Sequence, residues 1–295
     1  MHTPTFSVPG RGPAFLFLLV SLVLPAIGRA EAPAAVPASE ARSTQTVHRF
    51  HAPSLGREVA YIAITPDPME PGRRYPVLYL LHGATGSYRD WTSNTSATAL
   101  LAGRPLIVVT PDGGPYGWYA DSRFLENSNY ETFISRDLIA DVDRRLPTIA
   151  SREGRAIAGL SMGGHGALSL AAKHPDLFAS ASSMSGILNL RNHPKSWKLN
   201  EVFGELDEHE AEWRRHNVYD LADRFTTAGI RLLFDSGTSD TAAIEDNRQL
   251  HERLTELGVP HTFREYPGAH TWSYWRDRLP EHLQFHLSGN ATTQE

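Results

Sequence analysis

The sequence predicts an α/β fold: a mostly parallel central sheet with helices on both faces. Three observations point to it. Runs such as YPVLYLLHG (75–83) and RPLIVVTPDG (104–113) are apolar throughout rather than alternating, as strands buried on both faces are. Stretches with apolar residues at helical spacing separate these runs, and strand–helix alternation is the signature of a wound sheet with right-handed crossovers. Each run also ends at a glycine, and the carboxyl ends of the strands are where such sheets place their chemistry.

Taken in order, the chain opens with Arg11, an apolar run from Ala14 to Leu24 broken only by Ser21, then Pro25 and Gly28-Arg29-Ala30. That is the pattern of a secretory signal peptide cleaved after Ala30. The alternative is a membrane anchor, but the run is shorter than the ~20 residues needed to span a bilayer. Residues 1–30 are therefore expected as a signal peptide and 31–44 as a flexible leader. Residues 45–287 are expected as one domain and 288–295 as a tail, with the protein exported to the periplasm or the cell exterior.

Within the domain, 45–52 and 57–65 are expected to pair as an antiparallel ribbon, followed by the strands at 75–83 and 104–113 with a helix at 92–102 between them. Phe133, Ile134, Leu138, Ile139, Val142 and Leu146 fall at helical spacing and predict a helix over 130–146. Strands follow at 155–159, 178–186, 230–237 and 261–268, with helices at 163–174, 242–257 and 273–287. Residues 187–229 are long for a crossover and are expected to form a small cap that chooses the substrate.

The stretch IAGLSMGGHG (157–166) fits G-x-S-x-G between a predicted strand and a predicted helix, the context of a nucleophile elbow. Ser161 is the candidate nucleophile, and it needs a base and an acid. In this arrangement they follow in the order acid, then histidine. Asp240, in the loop past the strand IRLLFD, is the candidate acid. Asp235, still on the strand, is the alternative, and Asp240 could instead cap a helix. The chain has 14 histidines, but only His270 sits just past the last strand, which makes it the candidate base. The backbone N–H groups of Met162 and Ala84 are the expected oxyanion donors. His82 and His165 are read as structural.

Six motifs in order, YPVLYLLHGATGSYRDW, GWYADS, YETFISRDLIADVDRRLP, GLSMGGHGAL, DSGTSD and GAHTWSYWRDRLPEHL, resemble the esterase D and feruloyl esterase group of the α/β-hydrolases over roughly residues 45–287. That group includes S-formylglutathione hydrolases and secreted mycolyltransferases. The resemblance implies an α/β-hydrolase fold and the triad Ser161, Asp240 and His270, with Ala84 and Met162 as oxyanion donors. It also places the GWYADS loop beside the site, so Trp118 and Tyr119 are candidates for substrate contact, with a merely packed loop as the alternative. Trp272 is a candidate for the same reason.

The expectation is a secreted serine carboxylesterase acting on a small-molecule or carbohydrate ester, feruloyl or acetyl esters included, without metal or cofactor. Acyl transfer to a sugar by the same triad is the alternative. A non-catalytic carbohydrate-binding module is the third reading. The net charge of −5 and the absence of a Lys/Arg-rich run argue against nucleic acid and give no support for binding anionic membranes; the short apolar run argues against stable membrane insertion, and the absence of cysteine excludes disulfides. The sequence leaves the oligomeric state open.

Overall fold

A computed structural model of the chain describes residues 42–288. The expected signal peptide, most of the expected leader and all but the first residue of the expected tail lie outside the described residues. Strands β1 (Arg42–Ala52) and β2 (Arg57–Asp67) form an antiparallel ribbon. β1 starts three residues before the expected boundary at 45, so the end of the predicted leader is strand. β2 joins the sheet by pairing antiparallel with β4 (Ile107–Pro111). Every later pairing is parallel, through β3 (Val77–Leu81), β5 (Arg155–Leu160), β6 (Ser180–Met184), β7 (Arg231–Gly237) and β8 (Thr262–Tyr266). The order across the sheet is β1-β2-β4-β3-β5-β6-β7-β8. The chain places β4 on one side of β3 and then β5 on the other. The winding direction therefore reverses at β3, and the crevice at that reversal is where ligands bind in such sheets.

The strand runs read as buried on both faces are so. In β3, Val77, Tyr79 and Leu81 face one core with residues of α5 (Met162–Lys173) and α9 (Ile244–Glu256). Leu78 and Leu80 face the opposite core with Trp91 and with Trp275, Leu279 and Leu283 of α10 (Trp272–Ser288). Successive side chains of a strand point to opposite faces, so one five-residue strand feeds both layers. Each such side chain contributes about 1.5–3 kcal/mol by leaving water.

Two predicted helices differ in detail. The one expected over 92–102 is broken into α1 (Asp90–Asn94) and α2 (Ala97–Leu100). Thr95 is extended, and its hydroxyl donates to the Trp91 carbonyl and accepts the N–H of Ala97, so a side chain takes over bonds that the helix would have made. The helix expected over 130–146 is present as α3 (Tyr130–Thr132) and α4 (Ile139–Arg145), but Phe133–Leu138 between them is a π-helical turn. It carries Asp137, whose carboxylate accepts the Ser54 N–H at 2.8 Å.

The segment 187–229 contains α6 (Leu199–Phe203), α7 (Glu210–His216) and α8 (Phe225–Ala228). Its Leu190, Leu199, Phe203, Trp213 and Phe225 belong to the same core cluster as α5. No helix among the described residues is long and apolar enough to cross a membrane.

Candidate active site

Ser161 lies between the end of β5 and the start of α5, with φ 54° and ψ −120°. A non-glycine residue adopts positive φ only at a cost and where its surroundings hold it there. The Ser161 N–H bonds the Met184 carbonyl at 3.0 Å, and its own carbonyl accepts the N–H of His165 at 3.0 Å. The flanking glycines are needed for room: a Cβ on Gly159 would overlap the backbone of Gly163, and one on Gly163 would overlap the Leu81 and His82 carbonyls. The serine is consequently pushed out on a tight bend at the carboxyl end of β5.

The structure brings the three predicted side chains together. His270 Nε2 lies 2.9 Å from Ser161 Oγ, and His270 Nδ1 lies 2.9 Å from Asp240 Oδ2. The carboxylate can only accept, so Nδ1 carries the proton and Nε2 is free to take that of the serine. Asp240 is buried, and its two oxygens are both engaged, although the N-cap of α9 is Ala243 rather than Asp240. Its Oδ1 accepts the N–H groups of Ala242 and Ala243 ahead of α9, at 3.2 and 3.1 Å, while Oδ2 holds His270. Burial alone would raise its carboxyl, but the hydrogen bond and charge of His270 and the Ala242 amide outweigh that and hold it below the ordinary value.

Acid and base sit on adjacent loops that are tied to each other. The Thr238 N–H donates to the Tyr266 carbonyl and the Ser239 N–H to the Gly268 carbonyl, both at 2.8 Å. Trp275 meets the His270 ring edge-on at 4.9 Å. Asp235, the alternative acid, is committed elsewhere: its two oxygens take the Tyr274 hydroxyl at 2.9 Å and His282 Nε2 at 2.8 Å.

Met162 is the first residue of α5, whose N–H groups and dipole point at the site. Ala84 lines the same cavity as Ser161. Among the described residues neither backbone N–H meets an acceptor. The Ala84 loop is pinned from behind. His82 accepts the Gly113 N–H at Nε2 (2.8 Å) and donates from Nδ1 to the Gly83 carbonyl (2.7 Å), while the Tyr119 hydroxyl donates to the His82 carbonyl (3.0 Å). Burial lowers the His82 imidazole, consistent with a neutral ring serving as both donor and acceptor. His165 is fully buried and bonds the His216 carbonyl at 2.9 Å, a structural residue as read.

The cavity above Ser161 measures about 410 Å³, and its walls include His270, Asp90, Trp197, Trp272 and Trp275. Trp272 is therefore where the sequence puts it. Trp118 and Tyr119 are not: both are 1% exposed and neither lines this cavity. Tyr119 is spent on the His82 carbonyl, and Trp118 Nε1 donates to the Trp197 carbonyl at 3.1 Å. The packed-loop alternative is the one the structure adopts. Trp197 lies in the segment expected to choose the substrate but is not singled out by its local sequence, and nothing local marks Asp90 as facing the site. Among the described residues no group of three or more His, Asp or Glu is placed to hold a metal ion.

A family model described as "Putative esterase" matches residues 52–286. An esterase of Mycobacterium tuberculosis is 35% identical over 253 residues, which cover 76% of this chain and 55% of that protein. The chain thus spans about half the length of that relative. A diacylglycerol acyltransferase/mycolyltransferase of Mycolicibacterium smegmatis is 27% identical, covering 77% of this chain and 79% of that one. Among solved structures, a ferulic acid esterase superposes with a TM-score of 0.71 at 24% identity, over 84% of this chain and 99% of that one.

Proposed function

The chain belongs to the esterase family and has the α/β-hydrolase fold, and on that premise we propose that it is a serine carboxylesterase working through an acyl-enzyme. The observation that carries the reading is the unbroken chain Asp240–His270–Ser161, with both links at 2.9 Å, opening into the cavity. Ser161 Oγ attacks the ester carbonyl as His270 Nε2 takes its proton. The oxyanion is stabilised by the N–H groups of Ala84 and Met162, and His270 returns the proton to the leaving alcohol. Water then repeats the sequence on the acyl-Ser161 ester, with His270 again as base, and releases the acid.

The substrate is a carboxylic ester whose parts fit an aromatic-walled cavity, and feruloyl or acetyl esters of carbohydrates suit it. Export rests on the residue pattern at 11–30, and N-terminal sequencing of the protein recovered from outside the cytoplasm tests it; a start at Met1 would sink it. The similarity to the mycolyltransferase of M. smegmatis favours acyl transfer as a second reading. Adding sugar acceptors to a hydrolysis assay separates the two by product.

Pure protein should hydrolyse 4-nitrophenyl acetate and label with a fluorophosphonate probe. Ser161→Ala should lower kcat by roughly 10⁴–10⁶ and abolish labelling. Substantial residual turnover in that variant would refute the assignment.

A further inference from the structure

The GWYADS loop has no side chain in the cavity, yet it is tied to one that has. Among the described residues, Trp197 is the only member of the 187–229 segment that lines the cavity above Ser161. Its backbone is in the left-handed region, φ 48°, and so is that of Lys198, φ 59°. Two successive non-glycine residues in that region are costly and need outside support. The support is visible. Trp118 Nε1 donates to the Trp197 carbonyl at 3.1 Å, and the two indole centroids are 6.4 Å apart. Trp118 is itself buried edge-on against His165 at 5.5 Å. The His193 ring lies 5.1 Å from the Trp197 ring, and the Lys198 ammonium lies 5.8 Å from the Tyr116 ring centroid. A strained, braced backbone thus presents one large aromatic side chain to the site, and strain of this kind gathers at functional positions.

The remaining walls are of the same chemistry. Trp272 and Trp275 stand perpendicular to one another at 5.3 Å, and Trp275 abuts His270. A cavity of about 410 Å³ with three indoles on its walls favours a flat ring, whose face and edge both find aromatic partners.

Resting on the esterase reading above, we propose that Trp197 is the specificity-determining residue of this site. It selects esters that carry a planar ring beside the scissile bond, and Trp118 is the positioning residue that holds it there. Trp118 acts only through Trp197 and does not touch the substrate.

Three esters test this with the full-length protein: methyl butyrate, with no ring; methyl cinnamate, with a ring on the acyl side; and phenyl butyrate, with a ring on the alcohol side. Comparing each variant with the parent on the same ester cancels intrinsic reactivity. Trp197→Ala should lower kcat/KM for at least one ring-bearing ester about tenfold relative to methyl butyrate, mainly through KM. Trp197→Phe should restore most of that preference. Trp118→Phe, which keeps an aromatic ring but loses the N–H, should give a smaller loss of the same sign. The melting temperature should stay near the parental value in Trp197→Phe and Trp118→Phe.

An unchanged ratio of ring-bearing to ring-free esters in Trp197→Ala overturns the proposal. So does an equal loss on all three esters in Trp197→Phe and Trp118→Phe, which is what a merely structural role would give. Calorimetric binding of cinnamate and of phenol, one for each side of the ester, needs no turnover and separates this failure from failure of the esterase reading. Binding of either weakened in Trp197→Ala supports the aromatic site even if the parent hydrolyses nothing; binding of both unaffected by that change counts against it.

Discussion

Asp240 compresses the chemistry of this site into one carboxylate. One oxygen caps the turn into α9 and the other orients His270. Asp240→Asn keeps an acceptor for the two N–H groups but loses the charge that fixes the imidazole tautomer. It should therefore reduce kcat by roughly 10⁴ with a comparatively small change in melting temperature, as steady-state kinetics and a thermal melt would show; near-parental kcat would remove Asp240 from the mechanism. The position was legible in the sequence because chain order and strand ends leave few choices downstream of Ser161. Trp118 and Tyr119 were misplaced for a reason that also operates at the level of single residues. A motif places a loop near a site, but which of its side chains face the cavity depends on what packs behind them. Here that is His165 and His82, each far away in sequence.

At the level of elements, α10 is bound to the sheet by more than apolar contact. Tyr274 and His282 of this helix converge on Asp235 of β7. His282 continues through Ser182 at 2.8 Å to His286, which reaches Ser180 at 2.7 Å. His282 and Asp235 are 0% and 1% exposed, so removing one leaves the other stranded without water. His282→Leu should cost about 3 kcal/mol or more in urea unfolding. Asp235→Leu combined with His282→Leu should cost clearly less than the sum of the two single changes. Additive losses would mean that the two side chains do not act as a pair. The strand and helix periods predicted the eight strands and the main helices outside 187–229, but neither the three short helices within that segment nor this polar seam. Periodicity treats His282 and His286 as polar positions of a helix, whereas their partners are serines on a strand about 100 positions away. The break at Thr95 and the π-helical turn at 133–138 escaped for a similar reason, since both depend on hydrogen bonds rather than on apolar spacing.

Across the whole molecule, several buried groups make the fold sensitive to acid. Burial pushes the imidazoles of His165 and His216 down to about 3, and the latter is lowered further by the charge of Lys173. Burial would raise Glu131, but His174 and Lys173 bring it down to about 2. In each case the folded value lies below the unfolded one, near 6.5 for histidine and 4.3 for glutamate. The unfolded chain therefore binds more protons, and stability present at neutral pH is lost as pH falls. The histidine contribution should decline from about pH 6.5 downward, and that of Glu131 from about 4.3 toward 2. Urea midpoints measured between pH 7 and 4 should fall steadily, and a flat profile would contradict these burial effects. The fold class was readable at this scale because a strand buried on both faces leaves a mark in composition. The reversal of winding at β3 was not, because it depends on which edge each new strand joins.

The seam between the loops after β7 and β8 also has a consequence in time. On the proposed mechanism the nucleophile and both oxyanion donors are encoded by residue 162, whereas the base comes only with residue 270, on a loop held by the Tyr266 and Gly268 carbonyls. On that mechanism a chain emerging from the ribosome carries an inert hydroxyl at Ser161 until β8 and the loop after it are in place. The onset of turnover during refolding would then report that β8 has joined the sheet.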